Sequence, residues 1–231
     1  MQKVKEKRIG IDERTDKRKK GGKSMHERGY FDEIAPRWDD MRRTYFSERV
    51  RDRALSEARV QPRKLAVDVG AGTGFITEGL IGHGAEVLAI DESLPMLQVL
   101  RRKAFVTAGL HCCTGSAERL PVRTGAVDYV FANMCLHHVI HPAAAIGEMA
   151  RILKKGGTLT ITDCDEHSFA FLLEETADLW MGFRREDINA WFAEAGLRDI
   201  MVSSTGERVC VPSKFTDNCA DNSIFIARGT K

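Results

Sequence analysis

Eight residues, Val67-Asp68-Val69-Gly70-Ala71-Gly72-Thr73-Gly74, limit what this chain of 231 residues can become more than any other segment does. They close a short apolar run, 65–69, and lead into an amphipathic stretch that begins at Phe75. Glycine recurs where a backbone bends sharply and must approach something without a Cβ in the way. The N–H groups of such a bend, and of the helix start beyond it, face whatever lies above the strand's carboxyl edge. Two common versions of this junction are excluded. A dinucleotide fingerprint, GxGxxG, needs a third glycine at position 75, where Phe75 stands. The phosphate loop GxxxxGK[ST] occurs nowhere. Asp68 adds a carboxylate beside the bend, which repels a pyrophosphate and attracts an ammonium.

Downstream, short apolar runs alternate with amphipathic stretches, the pattern of a parallel sheet with crossover helices. Strands are expected at 65–69, 85–90, 110–114, 127–132, 158–162, 199–203 and 222–227. Between them, helices are expected from Phe75, over 94–106 with Ser93 as its N-cap, and from Pro142 to Leu153. The run Lys154-Lys155-Gly156-Gly157 reads as that last helix's end. A helical insertion over 169–180 and a helix over 185–195 complete the order, and an earlier helix is expected over 46–58. No internal repeat or proline-rich linker divides residues 25–231, so they read as one α/β domain. Within it, 25–60 is expected to be a helical lid and 165–183 a helical insertion.

The second anchor is Asp91, which ends the second strand 21 residues after Gly70. A carboxylate there can accept from both hydroxyls of a ribose and disfavours a phosphorylated one. A ligand with an amino acid at one end and an adenosine ribose at the other satisfies both aspartates; NAD does not. VDVGAGTG, AIDESLPML, GSAERLPV, VDYVFANMCLHHV and RILKKGGTLTITD, in that order, resemble the class I S-adenosylmethionine (SAM)-dependent methyltransferases. The likeness runs from about Phe31 to the C-terminus and is greatest to the small-molecule branch that includes the quinone-biosynthesis enzymes.

That resemblance implies a Rossmann-like doubly wound sheet of seven strands in the order 3-2-1-4-5-7-6, mostly parallel with the last strand antiparallel. It implies SAM as cofactor, S-adenosylhomocysteine (SAH) as product and a small-molecule methyl acceptor. Asp68, Gly70, Ala71 and Gly72 would hold the methionine portion and Asp91 the ribose. Met96 would pack on adenine, with Ser116 and Ala117 at its edge. Asn133 joins the set, and Trp38, in FDEIAPRWD, would lie over the cofactor. Ser116 stands where relatives often carry Asp, and Glu92 where an apolar residue often follows the ribose-binding acid.

A sulfonium is an activated methyl donor, so the protein's task is alignment and exclusion of water, with a base needed only if the acceptor must lose a proton. His137 and His138, just after the fourth strand, are the candidates for that base. Being adjacent, they are expected to point apart, with at most one facing the pocket. A histidine poised near neutrality would give a rate that rises with pH and then levels. Asp163-Cys164-Asp165-Glu166-His167 offers metal-type ligands, but contiguous spacing argues against convergence, and no metal is expected.

Composition bounds the rest. Hydrophobic residues at 43% and charged residues at 29% suit a globular protein. The net charge of +2 hides an arm: residues 1–24 hold ten Lys/Arg against four Asp/Glu, a local +6 that leaves −4 for the rest. So polar a segment is expected to be flexible, and a nucleic-acid contact through it is conceivable only as an alternative, with the chain then a non-catalytic or RNA-associated SAM-binding protein. No run reaches the roughly 18–20 apolar residues of a membrane span, and no secretory leader is evident, so the cytoplasm is the expected compartment. Cys112, Cys113, Cys135, Cys164, Cys210 and Cys219 form no CxxC pair, and buried free thiols are expected. A further alternative is a thiol, metalloid or metal-bound acceptor gripped by Cys210 and Cys219. The oligomeric state has no signature in the sequence.

Overall fold

The computed structural model describes residues 25–103 and 109–231, with side chains from Gly29 onward. The basic arm, 1–24, and the expected helix end at 104–106 lie outside the described residues.

Seven strands form one sheet: β1 (Leu65–Val69), β2 (Glu86–Asp91), β3 (Leu110–Thr114), β4 (Val127–Asn133), β5 (Leu153–Cys164), β6 (Arg198–Pro212) and β7 (Cys219–Thr230). Their order is β3-β2-β1-β4-β5-β7-β6. The first five pair in parallel, and β7 runs antiparallel to both β5 and β6. This is the Rossmann-like topology expected.

Strand side chains alternate between two faces, so each strand feeds two cores. Val67, Val69, Leu88, Ile90, Val130, Ala132, Leu159 and Ile161 pack on α6 (Pro142–Ile152) and α8 (Arg185–Glu194). On the opposite face Ala66, Val87, Tyr129 and Phe131 meet α3 (Arg49–Ala58) and α4 (Phe75–Gly82). With both faces covered, the parallel strands read as nearly continuous apolar runs. The carboxyl edge of β1, β2 and β4 is left as the place where a ligand can sit.

Several boundaries differ from the sequence reading. The chain before β1 forms α1 (Met25–Ile34), a 3₁₀ turn at Ala35–Arg37, α2 (Trp38–Tyr45) and α3, in place of one helix over 46–58. Pro36 sits in the first turn of its 3₁₀ helix, where a missing N–H costs nothing. Phe46 is extended (φ −154°) and buried against Phe75, which breaks the helix between α2 and α3. α5 (Leu94–Leu100) starts at its Ser93 cap, whose hydroxyl accepts from the Met96 N–H at 3.2 Å.

Lys154–Gly157 is no loop: β5 begins directly at Leu153, with Gly156 at φ +78° where the β4 register shifts. The insertion contributes only α7 (Phe171–Glu175); from Thr176 the chain is irregular, with Ala177 at φ +59°. β6 and β7 are far longer than 199–203 and 222–227, because their outer halves pair as a hairpin whose few apolar residues, Val209, Val211 and Ala220 among them, are interrupted by polar ones.

The thiols also depart from expectation. Cys210 and Cys219 are joined in a disulfide across that hairpin, and only Cys164 of the four free cysteines is buried. Among the described residues no helix is long and apolar enough to cross a membrane.

Candidate functional site

The glycine turn is held open for a ligand by its backbone. Gly70 has φ +66° and Gly72 φ +52°, a region that L side chains avoid. At Gly70 an added Cβ would lie 2.8 Å from Cys135 Cβ and against its sulfur. The turn is fastened to β2: the Ala71 N–H donates to the Ile90 carbonyl (3.0 Å) and the Gly72 N–H to Asp91 Oδ2 (2.8 Å). Asp91 Oδ1 accepts from the Ser93 N–H at 2.8 Å. These bonds aim Asp91, which lines the cavity above the turn.

Above this turn lies a cavity of about 130 Å³. Of the residues expected around a cofactor, Trp38, Gly70, Ala71, Gly72, Asp91, Met96, Ala117 and Asn133 line it. Met96 also packs on Ile34 and Ala35, so it is core filler and cavity wall at once. Asn133 is fixed by the Thr162 hydroxyl, which donates to its Oδ1 at 2.8 Å.

Two expected residues are not in the wall. Ser116 is turned into its own loop, where its hydroxyl accepts from the Glu118 N–H, and Gly115 takes its place. Asp68 is buried behind the turn, where Oδ2 accepts from the Thr77 N–H (3.0 Å) and hydroxyl (2.6 Å) at the start of α4. Burial raises its carboxyl to about 7, against the Thr77 bonds and with help from Asp91's charge.

A folded value above the unfolded one means that the native state binds the extra proton, so stability falls as pH rises from about 4 toward about 7. Asp68→Asn keeps an acceptor for Thr77 and cannot ionise. Its stability relative to the parent is therefore expected to improve over that window, read as a widening gap in urea midpoints between pH 4.5 and pH 8 in the absence of ligand. A constant gap would show that Asp68 ionises freely.

The N-terminal helices close the cavity's outer side. The Ser93 hydroxyl donates to Asp32 (2.6 Å), the Thr73 hydroxyl to Asp39 (2.7 Å), and Lys103 Nζ lies 2.7 Å from Asp39. Although burial opposes it, Lys103 and Thr73 keep the Asp39 carboxyl below its ordinary value. Arg42, unflagged by the sequence, lines the same cavity while 94% buried. Its guanidinium lies 4.5 Å from the Phe75 ring centre and donates to Glu48 at 2.9 Å.

A second cavity of about 50 Å³ adjoins the first, and Phe31, Trp38, Phe46, Met134 and His138 line both. Tyr30, Tyr45, His137, His167, Leu172 and Asp178 are among the other residues of the second. Met134 (φ +48°) and Ala177 (φ +59°) are left-handed without being glycine, and both stand in these walls. Strain of this kind persists where the surrounding structure enforces it.

His137 and His138 belong to the 3₁₀ turn Leu136–His138, and the expectation that at most one faces a pocket does not hold: both face the second cavity and His138 the first as well. His137 Nδ1 is 2.6 Å from Asp163 Oδ1, and that carboxylate also accepts from the Leu136 and Cys164 N–H groups. Burial alone would lower the His137 value, but Asp163 and Asp178 overcome it and push the ring up to about 9. His138 is driven down to about 4, first by burial and then by His137's charge. Neither imidazole is left near neutrality to carry the pH rise expected from sequence. His138 Nδ1 donates to the Ala177 carbonyl at 3.0 Å, which leaves Nε2 as an acceptor.

The other polar and aromatic residues near this end of the sheet take structural places. Asp165 makes two 2.7 Å bonds with Arg185 and accepts from the Ser223 hydroxyl, a structural tie. His141 is exposed. Phe183 and Trp191 pack in the core, and Trp180 Nε1 donates to the Val139 carbonyl. Cys210 and Cys219 are bonded to each other and neither lines either cavity, so they offer no free thiolates to a soft acceptor.

Residues 67–161 match the methyltransferase domain family. The 2-methyl-6-phytyl-1,4-hydroquinone methyltransferase 1 (chloroplastic) of Oryza sativa subsp. japonica is 32% identical over 168 residues, 71% of this chain and 50% of that one. Residues 67–161 are a methyltransferase domain of the SAM-dependent kind. Demethylmenaquinone methyltransferase of Renibacterium salmoninarum is 31% identical over 142 residues, 60% of this chain and 59% of that one. The chain thus spans about half the length of the curated relatives it matches.

Among solved structures, a chain of the complex between the Haloferax volcanii Trm112 methyltransferase activator and a methyltransferase shares its fold. The TM-score is 0.71 at 21% identity, covering 87% of this chain and 96% of that one. The Haemonchus contortus phosphoethanolamine N-methyltransferase 2 complex with SAH gives 0.65 at 17% identity, covering 79% and 52%. The family's cofactor fits the larger cavity: a turn in which Gly70 leaves no room for a Cβ, a ribose-type carboxylate at Asp91, an apolar shelf at Met96 and a buried cation at Arg42.

Proposed function

We propose that this chain transfers the methyl group of SAM to a small, largely apolar molecule seated in the second cavity. The observation that carries the reading is the shared wall: Phe31, Trp38, Phe46, Met134 and His138 face both spaces, so a methyl donor in one and an acceptor in the other would meet there. Bound SAM supplies a methyl group already activated on a sulfonium. The chain's part is to align donor and acceptor and to keep water away. Asp91 and Met96 hold the nucleoside end; the glycine turn and Arg42, as carboxylate partner, hold the amino-acid end. Residues 25–60 act as a lid, and 165–183 shape the acceptor space. The aromatic lining suits a ring-bearing acceptor, in keeping with the hydroquinone named for one relative.

The test is transfer of label from methyl-labelled SAM to a panel of hydroquinones, phenols, amines and thiols, with SAH formation followed in parallel. Labelled product with matching SAH upholds the reading; SAH binding without transfer to any class removes it. His138 stands at the junction of the two cavities, where it positions the acceptor, so His138→Ala is expected to lower kcat by about 100-fold with a much smaller loss of SAH affinity. An equal loss of SAH affinity would place His138 with the cofactor instead.

A further inference from the structure

Behind the second cavity the fold gathers groups that lie far apart in sequence. His137 Nε2 and His138 Nδ1 lie 3.9 and 3.8 Å from Asp178 Oδ1, and the two ring centres are 4.0 Å apart. One donor atom from each of these residues lies within 4.8 Å of the other two. All three border the cavity, so the cluster has an open side.

Two further features match what a bound ion requires. First, His137 is oriented by a carboxylate on its far nitrogen: Nδ1 meets Asp163, so Nε2 is the atom turned toward Asp178. Carboxylate–histidine pairs of this kind fix the tautomer and orientation of metal-ligating imidazoles. Second, Asp163 and Asp178 are both buried, one fully, and both stand against the His137 ring, so acidic groups flank the cluster on two sides. Buried carboxylates need compensation, and a bound cation can supply it in place of a proton on His137.

We propose that His137, His138 and Asp178 bind a divalent transition-metal ion, with Asp163 as the orienting partner of His137. Two imidazoles and one carboxylate suit zinc, iron(II) or cobalt(II) better than calcium or magnesium. Ligand bonds of roughly 2.0–2.2 Å require the donors to draw in by a few tenths of an ångström. His138 Nδ1 then exchanges its bond to the Ala177 carbonyl for the ion. Asp178 is held at the cluster's edge by the Thr176 hydroxyl, which donates to its Oδ1 at 2.7 Å, and by the Leu179 and Trp180 N–H bonds to the His137 carbonyl. The ion's remaining position faces the second cavity, where an oxygen, nitrogen or sulfur atom of the acceptor can ligate. This last step rests on the proposed function; the ion site itself does not.

The experiment uses the full chain, stripped with a chelator and titrated with Zn²⁺ by calorimetry and with Co²⁺ by visible absorption, with SAH binding measured on the same samples. One ion per chain is expected. Asp178→Asn and His137→Gln should each weaken it by at least about 100-fold, and Asp163→Asn by about 10–100-fold, while SAH still binds. SAH retention reports that a variant is folded, since the larger cavity includes none of these three residues. A chain that binds SAH but takes up neither ion overturns the inference and leaves the methyltransferase reading standing. Uptake that is equal in the parent and both ligand variants overturns it as well, by placing the ion elsewhere. Uptake that depends on these residues in a chain that binds no SAH upholds the ion site and removes the methyltransferase reading.

Discussion

Gly70→Ala is expected to unfold at lower urea than the parent and to bind SAH at least about 100-fold more weakly. Two costs act together. Holding an alanine at the observed φ of +66° costs about 1–2 kcal/mol. The new methyl also runs into the Cys135 side chain, whose Cβ would be 2.8 Å away. Relief by a backbone shift would carry Ala71 and Gly72 with it, and with them the bonds to Ile90 and Asp91 that aim the ribose-type carboxylate. Together the two are expected to remove about 2–4 kcal/mol of stability. Adding Cys135→Gly should return the part due to the collision and none of the part due to φ. Urea unfolding separates the two contributions, and calorimetry with SAH gives the affinity. An affinity equal to the parent's would mean that the turn cradles nothing.

Arg42→Met is the second change with a large expected effect. The methionine stem can keep the packing on Phe75, and Glu48 is half exposed and remains hydrated once its partner is gone. What disappears is the buried positive charge in the cavity wall. A hydrogen bond to a charged group contributes about 1.5–3 kcal/mol, so SAH should bind about 10–100-fold more weakly. 5′-Methylthioadenosine lacks the amino-acid end and should bind parent and variant alike. Equal losses for both ligands would make Arg42 a packing residue.

The sheet was legible because buried parallel strands advertise themselves: 65–69, broken only by Asp68, 87–90 and 129–132 are apolar runs, and the turns after the first two carry glycine or a capping serine. The cofactor cavity was legible for the same reason, since Gly70, Gly72 and Asp91 lie within one strand–turn–helix unit and its neighbour. Asp68 was misplaced because spacing locates a residue along a strand but not the helix that will claim its carboxylate; Thr77 of α4 claims this one.

Arg42 looked like one more charge in a polar helix, and only the fold of α2 over Phe75 turns it inward. The histidine cluster was hidden more deeply. Asp178 reaches it from an irregular segment beyond α7, strapped down by Leu179 and Trp180 N–H bonds to the His137 carbonyl. No periodicity marks such a loop. The DCDEH run drew attention instead, yet its members scatter to His137, to Arg185 and to the second cavity.

The covalent link in the β6–β7 hairpin bears on how the second chamber, the smaller of the two cavities, keeps its shape. Val209, Val211 and Ala220 form part of that chamber's floor, and each is a chain neighbour of Cys210 or Cys219. With the sulfurs joined, the far end of the hairpin is clamped; with them reduced, the backbone ladder from Val209–Asn222 to Pro212–Cys219, the Arg208–Asp221 pair and the bonds of Ser213 and Lys214 to Glu175 remain. A thiol-containing buffer and an oxidising one therefore present two floors of different stiffness to the same substrate.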